Sequence, residues 1–182
     1  RKLSQNPRDP VLMYGTALCL TYLENEQDLY RAKGLIHKAI GVQGQVEFYH
    51  QTLGYIYEVL ETVYDKQDKL ELALQEYRKA FFLNSEQQNP RNRANLLLNM
   101  GNVCFLLGRY QQAFEHYKRR EDSGEPFRKK DTELLFYQRF ARAAFLAQKR
   151  EKPIQALDKG LDLIEKRLEP QKASSILGRL NS

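Results

Sequence analysis

The chain of 182 residues is 42% hydrophobic and 11% aromatic, with a formal net charge of +6. That length and composition predict an all-helical soluble domain with one continuous core, and no window alternates β-branched residues between hairpin turns. No stretch of about 18 apolar residues exists to span a membrane, and two cysteines are too few for a disulfide scaffold, so the compartment stays open with the cytoplasm as default.

The chain opens Arg1-Lys2-Leu3 without a methionine, and the residues before Pro10 are polar, which reads as a piece of a longer protein. A first unit, about 10–43, places Leu29, Ala32, Ile36 and Ala39 on one helical stripe, and Cys19 on another. A second, about 45–84, holds Leu53-Gly54-x2-Tyr57 and Leu60-x3-Tyr64 seven residues apart, before Leu70 and Ala73-x3-Tyr77-x2-Ala80. Seven residues are close to two turns, so the spacing predicts a lengthened first helix from about Gln45 to Asp65. The acidic pairs Asp65/Asp68 and Glu71/Glu76 read as solvated faces. The run from Asn84 to Pro90 is a connector rich in turn residues.

In the third unit, about 91–122, Leu97, Met100, Cys104 and Leu107 form one stripe and Ala113-Phe114-Tyr117 a second. Gly101 and Ala113 are small residues on the facing sides, which lets the helix axes approach, and Gly108-Arg109 supplies the turn between them. Ser123 to Pro126 forms the next connector. A fourth unit, about 131–169, carries Phe140-x2-Ala143-Ala144-x2-Ala147, then Pro153 and Ala156-x3-Gly160-x2-Leu163, and Pro170 closes it. Ala173-x2-Ile176-Leu177-x2-Leu180 predicts a terminal helix over 171–181, either covering the last unit or opening a further one.

Ala32, Ala73, Ala113 and Ala156 anchor the four second helices at separations of 41, 40 and 43 residues. Leu97, Met100-Gly101, Cys104, Gly108, Ala113 and Tyr117 fall at the spacing of a tetratricopeptide (TPR) helix pair, and on these residues the chain resembles the TPR family. Its period exceeds the roughly 34 residues usual there and looks like the longer-period variants of peptide-sensing and polarity-adaptor proteins. The fold class expected is all-α: an α-solenoid of about four antiparallel TPR-like helix pairs plus a C-terminal helix, in a single repeat domain.

The resemblance implies that the first helix of each pair lines a concave groove. The groove positions would be Gln51 and Tyr55 in the second unit, Asn95, Asn99 and Asn102 in the third, and Gln138, Arg142 and Lys149 in the fourth. Asn99 and Arg142 coincide with two polar positions of the carboxylate clamp in chaperone-binding TPR domains, where an amide bonds a peptide backbone and a guanidinium pairs a carboxylate. The rest of the clamp is missing: the second unit offers Gln51 and Tyr55 or Glu58 and Thr62, and Gln138 stands where a lysine is expected. A chaperone C-terminal peptide is therefore not the expected ligand. Asn99 and Asn102 have an equal alternative role, bonding to adjacent helices.

Residues 1–90 carry 10 Lys/Arg against 12 Asp/Glu, and residues 91–182 carry 19 against 11. The basic half fits cations placed at helix C-termini, or an acidic peptide partner. His37, His50 and His116 lie in three different units without a metal or nucleophile pattern, and His116 reads as a surface residue, so no enzyme activity, metal or cofactor is expected. Both cysteines read as small core hydrophobes. The expected function is a protein–protein interaction scaffold holding a protein or peptide segment. The alternatives are a self-associating scaffold and, in another class, an RNA-binding repeat using the basic half; nucleic acid is the less favoured partner for want of a base-reading signature.

Overall fold

The computed structural model describes residues 9–23, 25–44, 46–84, 89–147, 158–160 and 162. These residues form α1 (Pro10–Thr21), α2 (Glu26–Gln43), α3 (Glu47–Thr62), α4 (Lys69–Leu83), α5 (Pro90–Leu106), α6 (Tyr110–Asp122) and α7 (Lys130–Leu146), with 158–160 and 162 also helical. Among the described residues no helix is long and apolar enough to cross a membrane. Pro153, Ala156, Leu163, Pro170 and the stripe from Ala173 to Leu180 lie outside the described residues.

Local chemistry sets the helix ends. Asp9 Oδ1 accepts from Val11 N at 2.9 Å ahead of Pro10, and Asn89 Oδ1 accepts from Asn92 N at 3.0 Å ahead of Pro90, so α1 and α5 start with a capping side chain and a proline whose missing N–H is no loss. Asn25 Oδ1 caps α2 through Asp28 N at 2.9 Å. At the end of α5, Gly108 (φ +72°) donates to Phe105 O and Arg109 to Cys104 O, the paired bonds of a Schellman stop.

The lengthening expected in the second unit takes a different form. α3 stops at Thr62, and the structure divides the seven extra residues among a longer helix end, a longer turn and an earlier α4 start. Asp65 (φ +51°) and Asp68 (φ +62°) sit in that turn in left-handed backbone, so they are turn residues rather than a helix face. Asp68 leaves the first turn of α4 uncapped. Glu61 reaches back from α3 to do this instead, accepting from Lys69 N at 2.6 Å and Leu70 N at 2.5 Å.

Consecutive helices pack in antiparallel pairs, α1 on α2, α3 on α4 and α5 on α6, and each second helix packs in turn on the next first helix. One continuous core results, running from Met13, Ala17 and Leu20 through Leu53, Tyr77 and Leu97 to Tyr117, Phe136 and Phe140. First helices also touch across the stack, α1 with α3 and α5 with α7. No two second helices make as extensive a contact among the described residues, so the stack bends towards the first helices, which form its concave side. This is a TPR-like α-solenoid.

Two contacts fix how closely the pairs approach. A Cβ built on Gly54 would stand 2.7 Å from Tyr77 Cδ1, and one on Gly101 would stand 2.5 Å from Tyr117 Cε1. Both rings are fully buried, so neither can give way cheaply. Gly34, by contrast, has open space around it. Gly54→Ala and Gly101→Ala are expected to lower the unfolding free energy by about 1 kcal/mol or more, overpacking outweighing the gain in helix propensity. Gly34→Ala is expected to raise it by roughly 0.5–1 kcal/mol. Urea midpoints of the three variants against the parent check both signs.

Candidate functional site

The concave side holds a cavity of about 540 Å³. α1 contributes Tyr14, Leu18 and Thr21 and its C-cap Tyr22, α3 contributes Gln51, Thr52 and Tyr55, and α5 contributes Asn99. Arg128, in the connector before α7, completes the wall. The site thus draws on three successive first helices, which the solenoid stacks side by side. Tyr14 is anchored from below by Tyr49, with ring centroids 5.3 Å apart, and burial pushes its phenol up from its ordinary value. The tyrosines offer apolar faces with a polar tip, the two carboxamides donate and accept, and Arg128 supplies a charge.

Of the groove positions read from the sequence, the structure brings Gln51, Tyr55 and Asn99 together in this cavity. Asn95 is half-buried on α5 outside its wall. Asn102 faces inward: its Oδ1 accepts from Tyr117 Oη at 2.9 Å, a bond between the two helices of one pair. Gln138 and Arg142 are exposed on α7, with the Arg142 guanidinium 5.6 Å from the centroid of the Phe105 ring. Lys149 lies outside the described residues. Arg128 had no counterpart in the sequence reading, because a connector residue carries no helical period that would assign it to a face.

Several polar residues differ from their sequence reading. Glu76 is buried, not solvated: its Oε2 lies 2.6 Å from His50 Nδ1 and its Oε1 accepts from Lys79 Nζ at 2.6 Å. The period of α4 explains this, since Glu76 shares the inward side with Ala73, Tyr77 and Ala80. Cys104 is in the core, whereas Cys19 is exposed, lying off the stripe that Met13, Ala17 and Leu20 define on α1. Arg120, at the position held by Ala39 and Ala80 in earlier units, is only 2% exposed. Its guanidinium stacks 3.9 Å from the Phe127 centroid, and Nη1 donates to Glu125 O at 2.8 Å, which fastens the connector carrying Arg128.

Several cations of the basic half have partners within the protein. Arg93 donates to Asn84 O at 2.8 Å and stacks on Phe81, Arg109 pairs with Glu71, Lys118 with Asp122 at 3.1 Å and Lys159 with Glu121. Apart from the Lys118–Asp122 pair, which lies within α6, these cations tie one helix or connector to the next.

Neither the protein-family models nor the curated proteins yield a match to this sequence. Solved structures do match its fold. MamA superimposes with a TM-score of 0.70 at 16% identity over 92% of this chain and 85% of that one. TTC0263, described as a thermophilic TPR protein in Thermus thermophilus, gives 0.58 at 22% identity over 96% and 85%. YrrB, described as a TPR protein with an unusual peptide-binding site, gives 0.57 at 16% identity over 96% of each chain. The fold is thus that of the TPR helical-repeat class.

His116 is half-buried, not a surface residue, and its Nδ1 is enclosed with no hydrogen-bond partner among the described residues. Burial, with Arg119 and Arg78 adding to it, lowers its pKa from 6.5 to about 4. Folding therefore favours the neutral ring. The unfolded chain binds the proton first, so this contribution to stability is complete above pH 6.5 and is lost as the pH falls from 6.5 towards 4. His116→Gln, which cannot titrate, is expected to flatten that part of a plot of Tm against pH; thermal melts in half-unit steps from pH 7 to pH 4 check it.

Proposed function

We propose that this chain is a non-catalytic scaffold whose concave groove holds an extended segment of a protein partner. The units run about 10–43, 45–84, 91–122 and 131–169 in a single repeat domain. The observation that carries this reading is the convergence of Gln51, Tyr55 and Asn99, from two successive first helices, on one cavity. Their carboxamides are suited to a peptide backbone, and the phenol ring to a side chain of the same peptide. The description of YrrB as a TPR protein with a peptide-binding site supports the same use of the fold. A protein partner is favoured over nucleic acid because the cavity wall is built of tyrosines, amides and hydroxyls with one cation, Arg128, among the described residues. The reading needs no metal or cofactor.

Asn102 is a poor probe of this groove, since removing its amide would strand the Tyr117 hydroxyl. Photo-crosslinking separates the faces better. With p-benzoylphenylalanine in place of Tyr55 on the groove wall, or of the exposed His37 on α2, we expect a discrete polypeptide adduct from source lysate at position 55 and none at 37. An adduct at 37 alone would move the site to the outer face.

A further inference from the structure

We propose that the groove cavity selects a peptide segment that carries a carboxylate beside an aromatic or large aliphatic side chain, with Arg128 binding the carboxylate. This deepens the groove reading above and rests on it. Tyr14, Leu18, Tyr22 and Tyr55 give the cavity aromatic and aliphatic surface beside the polar Thr21, Thr52, Gln51 and Asn99, and Arg128 is its one charged residue among those described. Its volume, about 540 Å³, lies within the range of pockets that enclose a small ligand or a pair of side chains, roughly 300–1,000 Å³.

Charge decides which ligand fits. A cluster of tyrosines by itself would also take a cation on its ring faces. Arg128 in the same wall opposes a cation and attracts an anion. Two carboxylates of α3, the helix that carries Gln51 and Tyr55, are already engaged: Glu47 accepts from Asn84 Nδ2 at 2.7 Å and from Asn92, and Glu58 accepts from the Tyr77 hydroxyl at 2.8 Å. No described carboxylate forms an ion pair with Arg128, so its fork is free to take a partner's carboxylate by two parallel bonds. Gln51 and Asn99 also line the cavity, where their amides can hold the intervening backbone. The connector stays in place because Arg120 clamps it through Glu125 O and the Phe127 ring.

The test pans a random twelve-residue peptide display library on the parent protein and on Arg128→Glu, Arg128→Gln and Tyr55→Ala. Enriched peptides are then measured singly by fluorescence polarisation. Arg128 and Tyr55 are exposed, and thermal melts verify that the variants fold. The parent is expected to enrich peptides with Asp or Glu within a few residues of Phe, Tyr, Trp or Leu. Changing that acid to its amide, or Arg128 to Gln, should weaken binding about tenfold or more, and the Arg128→Glu pool should lose its acidic bias. Peptides that Tyr55→Ala weakens but that show no acidic bias and no response at Arg128 overturn this inference and leave the groove reading standing. Peptides indifferent to Tyr55→Ala, or no enrichment on the parent, overturn both.

Discussion

A tyrosine ring packed against a glycine of the facing helix governs the geometry of this solenoid. Tyr77 covers Gly54 and Tyr117 covers Gly101, each at a distance where a methyl group would collide with the ring. The contact pulls the two helix axes together, and it also aims each tyrosine through the pair towards the inner row. There the Tyr77 hydroxyl bonds to Glu58 and the Tyr117 hydroxyl to Asn102, both on first helices. A buried phenol without such a partner would be strained energetically, so the polar residues beneath the groove are a consequence of the core packing. Glu58 shows the result: burial raises its pKa, and the hydroxyl of Tyr77 and the charge of Arg139 offset part of that.

Between units the constraint is polar. Glu47 at the start of α3 accepts from Asn84 at the end of α4 and from Asn92 at the start of α5, and Arg93 bonds the carbonyls of Asn84 and Phe81. Three helix ends thereby meet around one carboxylate and one guanidinium. In a stack whose units touch only their neighbours, curvature is set at such joints. A slip at this one would separate Gln51 and Tyr55 on α3 from Asn99 on α5, and the cavity they share would open.

The repeat architecture was legible in the sequence because it rests on period and on small residues. The alanine anchors, the paired stripes and the glycine at Gly101 report directly on which side of a helix is covered. What stayed hidden was the fate of polar residues on those same helices. Glu76 falls on an inward side, yet a charged residue there is read as solvated unless its partner is known, and His50 is 26 residues away. The second-unit insertion misled for a related reason: seven residues keep the helical face whether they lengthen a helix or divide between helix and turn. The left-handed backbone at two aspartates leaves no apolar signature. Of the residues that line the cavity, Gln51, Tyr55 and Asn99 share the helical register from which the sequence reading took its groove positions, whereas Arg128 depends on how a connector folds back.

This division has a consequence for recognition. Residues on the groove wall fall into two kinds, those that complete the core and those that face the cavity, and sequence position alone does not separate them. Asn99 and Asn102 lie three residues apart on one helix, a spacing that usually shares a face; yet Asn99 lines the cavity while Asn102 is drawn inward by the Tyr117 hydroxyl. The wall that remains for a ligand is tyrosine-rich, amide-bearing and charged only through a connector. Such a surface places affinity in rigid aromatic area and sign selection in a single cation. On the proposed reading the helices keep their packing while the connector between α6 and α7 sets the charge presented to the groove.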